Sequence, residues 1–342
     1  MCYDCNCAFV HLFFSPSISW EQIERGVFMM FFSDYVCFGI SPSMLYPLSF
    51  EDELEHFSAV DQCCQFPEYE CFETFLPSDA GLRKAEIKRM KEHNKVLNYN
   101  TPGYFQLDGM YNASSDDPAF RQHALTAMKE QIDYASEAGC SLIVLTGTPD
   151  QGDSRRPVLL ERYSEFFLKC AAHAAQYNMT VSIEPIERGR FKNLILGPTW
   201  ECAAFIKDMQ EKGASNAKLI LDIAHLPLMG EDIGGAVKSC MEAGLAHVHM
   251  GNAVLEQTSQ FYGHTHPPIG VQHGCYDCQE LTLQFKALLT SGYIPAFPGP
   301  VRPTISLEVR PYPGVSGRTS ARVMYEKVSS AFMAALEQHC NH

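Results

Sequence analysis

From Tyr35 onward the chain alternates short β-branched or apolar runs with longer stretches of helical period, the pattern of repeated βα units that feed a parallel sheet. Eight runs are marked as strands: Val36–Ile40, Tyr69–Glu73, Val96–Asn100, Leu142–Thr146, Thr180–Glu184, Leu219–Asp222, His247–His249 and Thr304–Glu308. Between and after them the helical stretches are Phe50–Phe57, Ala85–Asn94, Phe120–Ala138, Leu159–Tyr177, Thr199–Lys212, Ile233–Ala243, Glu280–Leu289 and Ser320–Leu336. Asp117-Pro118 opens the third helix and Gly139 closes it, while Gly292 follows the seventh. Such a series predicts an α/β fold, a single closed (β/α)8 TIM barrel over residues 34–342, whose usual size is roughly 250 residues before insertions. A doubly wound open sheet would bring a glycine-rich first turn, and none follows Val36–Ile40.

Residues 1–33 read as an N-terminal extension, loosely attached. Met1 to Trp20 is apolar and cysteine-rich, yet it has no Lys or Arg at its start and no small-residue cleavage site, so no signal peptide is expected. Met29 and Met30 immediately precede the first strand and suggest a natural start there, an idea that N-terminal sequencing beginning at Met1 would contradict.

Charge and hydropathy narrow the function classes. The formal net charge is −14 and no Lys/Arg-rich run is present to neutralise phosphates, which argues against a nucleic-acid partner. No unbroken apolar stretch reaches the roughly 18 residues of a membrane span. The 14 cysteines are scattered, and Cys140, Cys170 and Cys202 fall where an element would face inward, as expected of buried thiols in a reducing cytoplasm. Cys2, Cys5 and Cys7 and the Cys275-Tyr-Asp-Cys278 pair lack a second pair at the separation of a structural zinc site.

In a barrel of this kind the C-terminal ends of the strands form the active site, so a polar residue ending an apolar strand is informative. The last four strands deliver Glu184, Asp222, His249 and Glu308. Three carboxylates and one imidazole suit one divalent cation, with Mn2+ or Mg2+ favoured over Co2+ and Zn2+. A cation there would polarise a bound carbonyl and stabilise the charge left when a neighbouring proton is removed. His266, in the Pro-braced loop Tyr262–Gly270, is the first choice for an additional acid or base, and His225 is the second, with support of the metal its plainer role. His247 is expected to face away from His249 and to pack between strand and helix. Glu73, ending the second strand, is a candidate for a substrate hydroxyl or for pairing with Lys or Arg. Glu187, Arg188 and Arg190 read first as solvated loop charges, with Arg188 the choice among them for holding a substrate hydroxyl or phosphate.

The segments Ser182-Ile-Glu184-Pro, Leu221-Asp222-Ile-Ala-His225, His247-Val-His249 and Ser306-Leu-Glu308-Val resemble the xylose-isomerase-like barrel superfamily of sugar isomerases, ketose 3-epimerases, inosose dehydratases and endonuclease IV. The resemblance implies that Glu184, Asp222, His249 and Glu308 bind one metal, and that Glu184 and Glu308 also exchange the proton. Endonuclease IV carries extra histidines in its early strands, whereas these end in Ile40, Glu73, Asn100 and Thr146. Ketose epimerases place a Glu and an Arg after the strand-seven His; here the chain reads His249-Met-Gly-Asn252-Ala-Val, leaving Asn252 as the candidate substrate contact.

Gly-Asn-x-Val at Gly251, Tyr-Gly-x-x-His-Pro-x-x-Gly over Tyr262–Gly270, and Arg-Pro-x-x-Ser-x-Glu-Val from Arg302 look like the catalytic α subunit of bacterial C-glycoside deglycosylating enzymes. That resemblance implies a lyase that cleaves a carbon–carbon bond in a 3-oxo-C-glycoside beside a small β subunit, which would cover the first and seventh βα loops. His264 stands where an acidic residue is expected, and Gly274-Cys275-Tyr-Asp277 where Gly-Glu-Asn-Asp is usual. A ketose 3-epimerase or sugar (phosphate) isomerase acting alone is the other reading.

Overall fold

The computed structural model describes residues 31–189 and 191–341. The bulk of the N-terminal extension, with its early cysteines and the starts considered at Met29 and Met30, lies outside the described residues, as does Arg190.

Eight parallel strands close into a barrel in sequence order, the first pairing with the last. They are β1 Cys37–Ile40, β2 Cys71–Thr74, β3 Val96–Asn100, β4 Leu142–Leu145, β5 Thr180–Ile183, β6 Ala217–Asp222, β7 Leu245–Met250 and β8 Thr304–Leu307. The long helices that follow them are α1 Glu53–Cys64, α2 Ala80–Glu92, α3 Pro118–Ala138, α4 Arg156–Ala175, α5 Thr199–Glu211, α6 Ile233–Ala243, α7 Cys278–Thr290 and α8 Gly317–Cys340. Each expected strand is present, Val96–Asn100 with the bounds expected and the others with one or both ends shifted by one or two residues.

Caps account for the boundaries. Asp52 accepts hydrogen bonds from the amides of Leu54 and Glu55, so α1 starts after it, and Phe50 sits in a 3-10 turn instead of the helix expected there. Asp117 caps α3 through Ala119 N, and Gly139 closes it with φ 81°. The extension is not loose throughout: Phe32 is buried, with its ring centroid 4.9 Å from that of Phe38 and 5.0 Å from that of Phe332.

Strand alternation sorts side chains into two cores. Ile143 and Leu145 join the large apolar layer between barrel and helices, whereas Leu142 and Val144 point inward and form a small separate cluster with Ile220 and the adjoining Ala246. The interior also holds the buried polar residues Glu73, Asn98, Ser182, His247 and Ser306. Buried polar groups need partners, so these residues organise one another.

Space inside is short at β1. A Cβ on Gly39 would stand 2.5 Å from Ser306 Oγ and 2.7 Å from the carbonyl oxygen of Cys71. Gly39→Ala is expected to destabilise the barrel by about 1–3 kcal/mol, because the wall is backbone and cannot yield as a flexible side chain would. Urea unfolding with the midpoint unmoved would refute this. The cysteines at 140, 170 and 202 are buried free thiols. Among the described residues, no helix is long and apolar enough to cross a membrane.

Candidate active site

The ends of β5 to β8 converge. Glu184 follows β5, Asp222 ends β6, His249 is the penultimate residue of β7, and Glu308 follows β8. Parallel pairing places Asp222 beside His249 and His249 beside Ser306, two residues short of Glu308. One donor atom from each of Glu184, Asp222, His249 and Glu308 lies within 4.8 Å of all the others. His249 Nδ1 is 2.6 Å from Glu308 Oε2 and 3.3 Å from Glu184 Oε1.

Despite these approaches, Glu184 Oε1, Asp222 Oδ2, His249 Nδ1 and Glu308 Oε2 are buried and make no hydrogen bond. Buried lone pairs held together in this way are costly unless a positive charge joins them. With three oxygens and one nitrogen, the set fits a hard or borderline divalent cation.

Glu73 underlies this cluster. Its two oxygens lie 2.7 Å from His249 Nε2 and 2.6 Å from His247 Nε2, all three side chains being fully buried. Burial alone would raise the Glu73 pKa, but His249 and His247 outweigh it and hold the carboxyl down at about 2. Burial would lower His249; Glu73 and Glu308 instead raise it well above the usual imidazole range. With Nε2 turned to Glu73, His249 presents Nδ1 to the three carboxylates, the arrangement by which an outer carboxylate orients a metal-ligating histidine.

Around the mouth, burial together with Glu308 and Glu184 pushes Asp222 up to about 7, against the pull of His225 and His249. His225 sits 3.1 Å from Asp222 Oδ2; burial lowers its pKa, but Asp222, Glu184 and Glu187 carry it up to about 9. His266 has a left-handed backbone, φ 47°, rare for a non-glycine residue and held here by Arg310 N donating to its carbonyl at 2.8 Å. Burial pushes its imidazole down to about 3. A cavity of about 260 Å³ opens over these groups, lined also by Phe50, Asn100, Lys192 and Arg310.

Several expectations are corrected. His247 faces the barrel interior with His249, since residues two apart on a strand share a face; its Nδ1 meets Thr304 Oγ1 at 2.7 Å and Asn98 Nδ2 at 3.3 Å. Glu73 lies against imidazoles, not against Lys or Arg, and it lines the cavity as well. Asn252 is 1% exposed and spends its amide on Pro268 O, Ala253 N and the backbone of Tyr276, bracing the loop after β7. Arg188 ties Glu201 to the carbonyls of Leu194 and Ile195 and does not line the cavity. Glu187 is spent on His264, 3.0 Å from Nδ1.

Sequence reasoning missed His264, Lys192 and Arg310 as lining residues. Arg310 carried a usable signal, standing two residues beyond Glu308. His264 was visible as half of His-x-His; Lys192 had no local sign to separate it from a solvated loop charge.

The profile of a family described as xylose isomerase-like TIM barrel matches residues 66–306. No curated protein matches the sequence. Among solved structures, a D-psicose 3-epimerase from Clostridium cellulolyticum H10 superposes with TM-score 0.60 at 15% identity, covering 88% of this chain and 98% of that one. A 3-keto-D-glucoside 4-epimerase from E. coli gives 0.61 at 14% identity, covering 87% and 99%. An L-ribulose 3-epimerase gives 0.62 at 18% identity, covering 90% and 96%.

Proposed function

Because this chain belongs to the xylose isomerase-like TIM barrel family, we propose that it is a divalent-metal-dependent sugar epimerase or isomerase that moves a proton on the carbon beside a carbonyl. The observation that carries the reading is the convergence of four buried donor atoms, from Glu184, Asp222, His249 and Glu308, that make no hydrogen bond. These residues would hold one cation, Mn2+ by preference for a set of three carboxylates and one imidazole. When bound, the cation withdraws charge from a carbonyl and the adjacent hydroxyl, acidifying the C–H between them.

The protein's own groups do the rest. Glu184 and Glu308 come from β5 and β8, two walls of the same cavity, so one carboxylate can take the proton and the other can return it from the opposite face. Return to the opposite face inverts the carbon, and transfer to the neighbouring carbon moves the carbonyl. Lys192, Arg310 and Asn100 line the cavity where sugar hydroxyls would lie.

A second reading is a carbon–carbon lyase on 3-oxo-C-glycosides. It is favoured by His266, whose imidazole reaches the cavity from the Tyr262–Gly270 loop, donates from Nδ1 to the Glu308 carbonyl and leaves Nε2 to act as a base. Under that reading a small β subunit would form a hetero-oligomer over the first and seventh loops.

The test is deuterium wash-in, followed by NMR, with ketoses and 3-oxo-glycosides in heavy water. Chelation should reduce exchange to background and Mn2+ should restore it. Exchange with epimer or isomer formation by the chain alone supports the first reading, and aglycone release that needs a partner supports the second. A chelated protein as active as the untreated one would sink both.

A further inference from the structure

On the β1 and β2 side, a chain of hydrogen bonds runs outward from the cavity wall, and the proton transfer does not use it. Ser43, in the short helix Pro42–Leu45 after β1, and Thr74, ending β2, both line the cavity. Each is 2% exposed, and their hydroxyl oxygens are 2.8 Å apart. Ser43 Oγ meets His56 Nδ1 at 3.5 Å, the long end of hydrogen-bonding distance, and His56 Nε2 meets Glu86 Oε1 at 3.3 Å. His56 comes from α1 and Glu86 from α2, and both are fully buried.

The partners fix where the hydrogens lie. His56 Nε2 is 3.1 Å from the carbonyl oxygen of Phe75, which can only accept, so Nε2 carries hydrogen. The Phe75 ring stacks on the imidazole with centroids 4.3 Å apart and holds it in that plane. Burial raises the Glu86 carboxyl against the pull of His56, and the 3.3 Å gap exceeds the roughly 2.7–2.9 Å of a charge-assisted pair. The pair is therefore neutral, and His56 Nδ1 is a bare lone pair. Ser43 gives its hydrogen to that lone pair, so Thr74 must give its own to Ser43. Thr74 is left facing the cavity with lone pairs and no hydrogen to offer.

We propose that His56 is a positioning residue for substrate specificity: through Ser43 it turns the Thr74 hydroxyl so that this wall takes a donating sugar hydroxyl and disfavours a carbonyl, carboxylate or phosphate oxygen. The inference rests on the sugar-binding reading above and adds where one hydroxyl is recognised and in which sense. A free threonine hydroxyl donates or accepts as its ligand requires. One whose hydrogen is already engaged can only accept, and an acceptor placed against it goes unsatisfied.

The experiment uses the full chain with Mn2+ and whichever of D-fructose, D-tagatose and D-psicose exchanges its α-proton fastest. Analogues of that ketose carry fluorine, which cannot donate, in place of one hydroxyl at a time. At one position away from the reacting carbons, wild type should discriminate against fluorine about 10-fold, in KM and not in kcat. Thr74→Val should lose this discrimination and Thr74→Ser should keep it, which separates the hydroxyl from the methyl. His56→Phe, which touches no substrate, and Ser43→Ala should lose it too, because either change frees the Thr74 hydrogen; Ser43→Ala decides the matter if His56→Phe does not fold. Nitrogen-15 NMR of the histidine-labelled chain should show one neutral ring, protonated at Nε2, whose Nδ1 signal moves in Ser43→Ala. Full discrimination in Ser43→Ala, or a His56 ring that is charged or protonated at Nδ1, overturns this inference while exchange by wild type leaves the sugar reading standing. No exchange of any ketose by wild type would take down that reading and this inference with it.

Discussion

Glu308→Gln is expected to lower kcat/KM by about 10⁴-fold, the upper end of the range for a general acid or base, because one carboxylate is asked both to help hold the cation and to carry the proton. The substitution keeps the shape and removes the charge that faces His249 Nδ1 at 2.6 Å. Steady-state rates and α-proton exchange should fall together, since the same group serves both. A loss under about 10-fold would remove Glu308 from the chemistry, and a rise in KM with kcat unchanged would make it a binding residue alone.

Glu73→Ala should have the largest effect on stability, about 3–5 kcal/mol, by leaving two fully buried imidazoles without the carboxylate they share. Glu73→Gln should do less damage, because its amide retains the volume and can still meet one ring. Urea unfolding at neutral pH measures both variants. If Glu73→Ala unfolds within about 1 kcal/mol of wild type, the imidazoles satisfy each other and Glu73 does not organise the cluster. Where the variant folds, weaker Mn2+ binding at an intact far-UV signal would show that Glu73 acts on the site through His249.

The barrel was legible because each unit obeys a local rule. Leu142–Leu145 is a short β-branched and apolar run, Asp117-Pro118 opens a helix, and Gly139 ends it, so neighbours in the chain suffice to read them. The converging residues were legible for a related reason: an acid or imidazole at the end of an apolar strand has a barrel mouth to point into. What escaped depends on partners far away in the chain. Nothing near Glu73 announces that its oxygens will meet side chains more than 170 residues later, and nothing near Arg188 reveals Glu201 and two carbonyls waiting for its guanidinium. Asn252 sits beside the site in sequence, yet the loop it must fold claims its amide. The misplacement of His247 had no such excuse, because strand parity alone puts it on the side of His249.

The Glu73 contacts also bear on how this barrel can be divided. Its carboxylate comes from the first four strands and the imidazoles that answer it from the last four, as do Glu184, Asp222 and Glu308. A fragment ending after β4 would bury the carboxylate without its imidazole partners, and the complementary fragment would bury the rings without the carboxylate. Neither half can therefore satisfy its own interior. Split between β4 and β5, the chain should recover structure only when both pieces are mixed, so the molecule is a single cooperative unit and not two half-barrels joined.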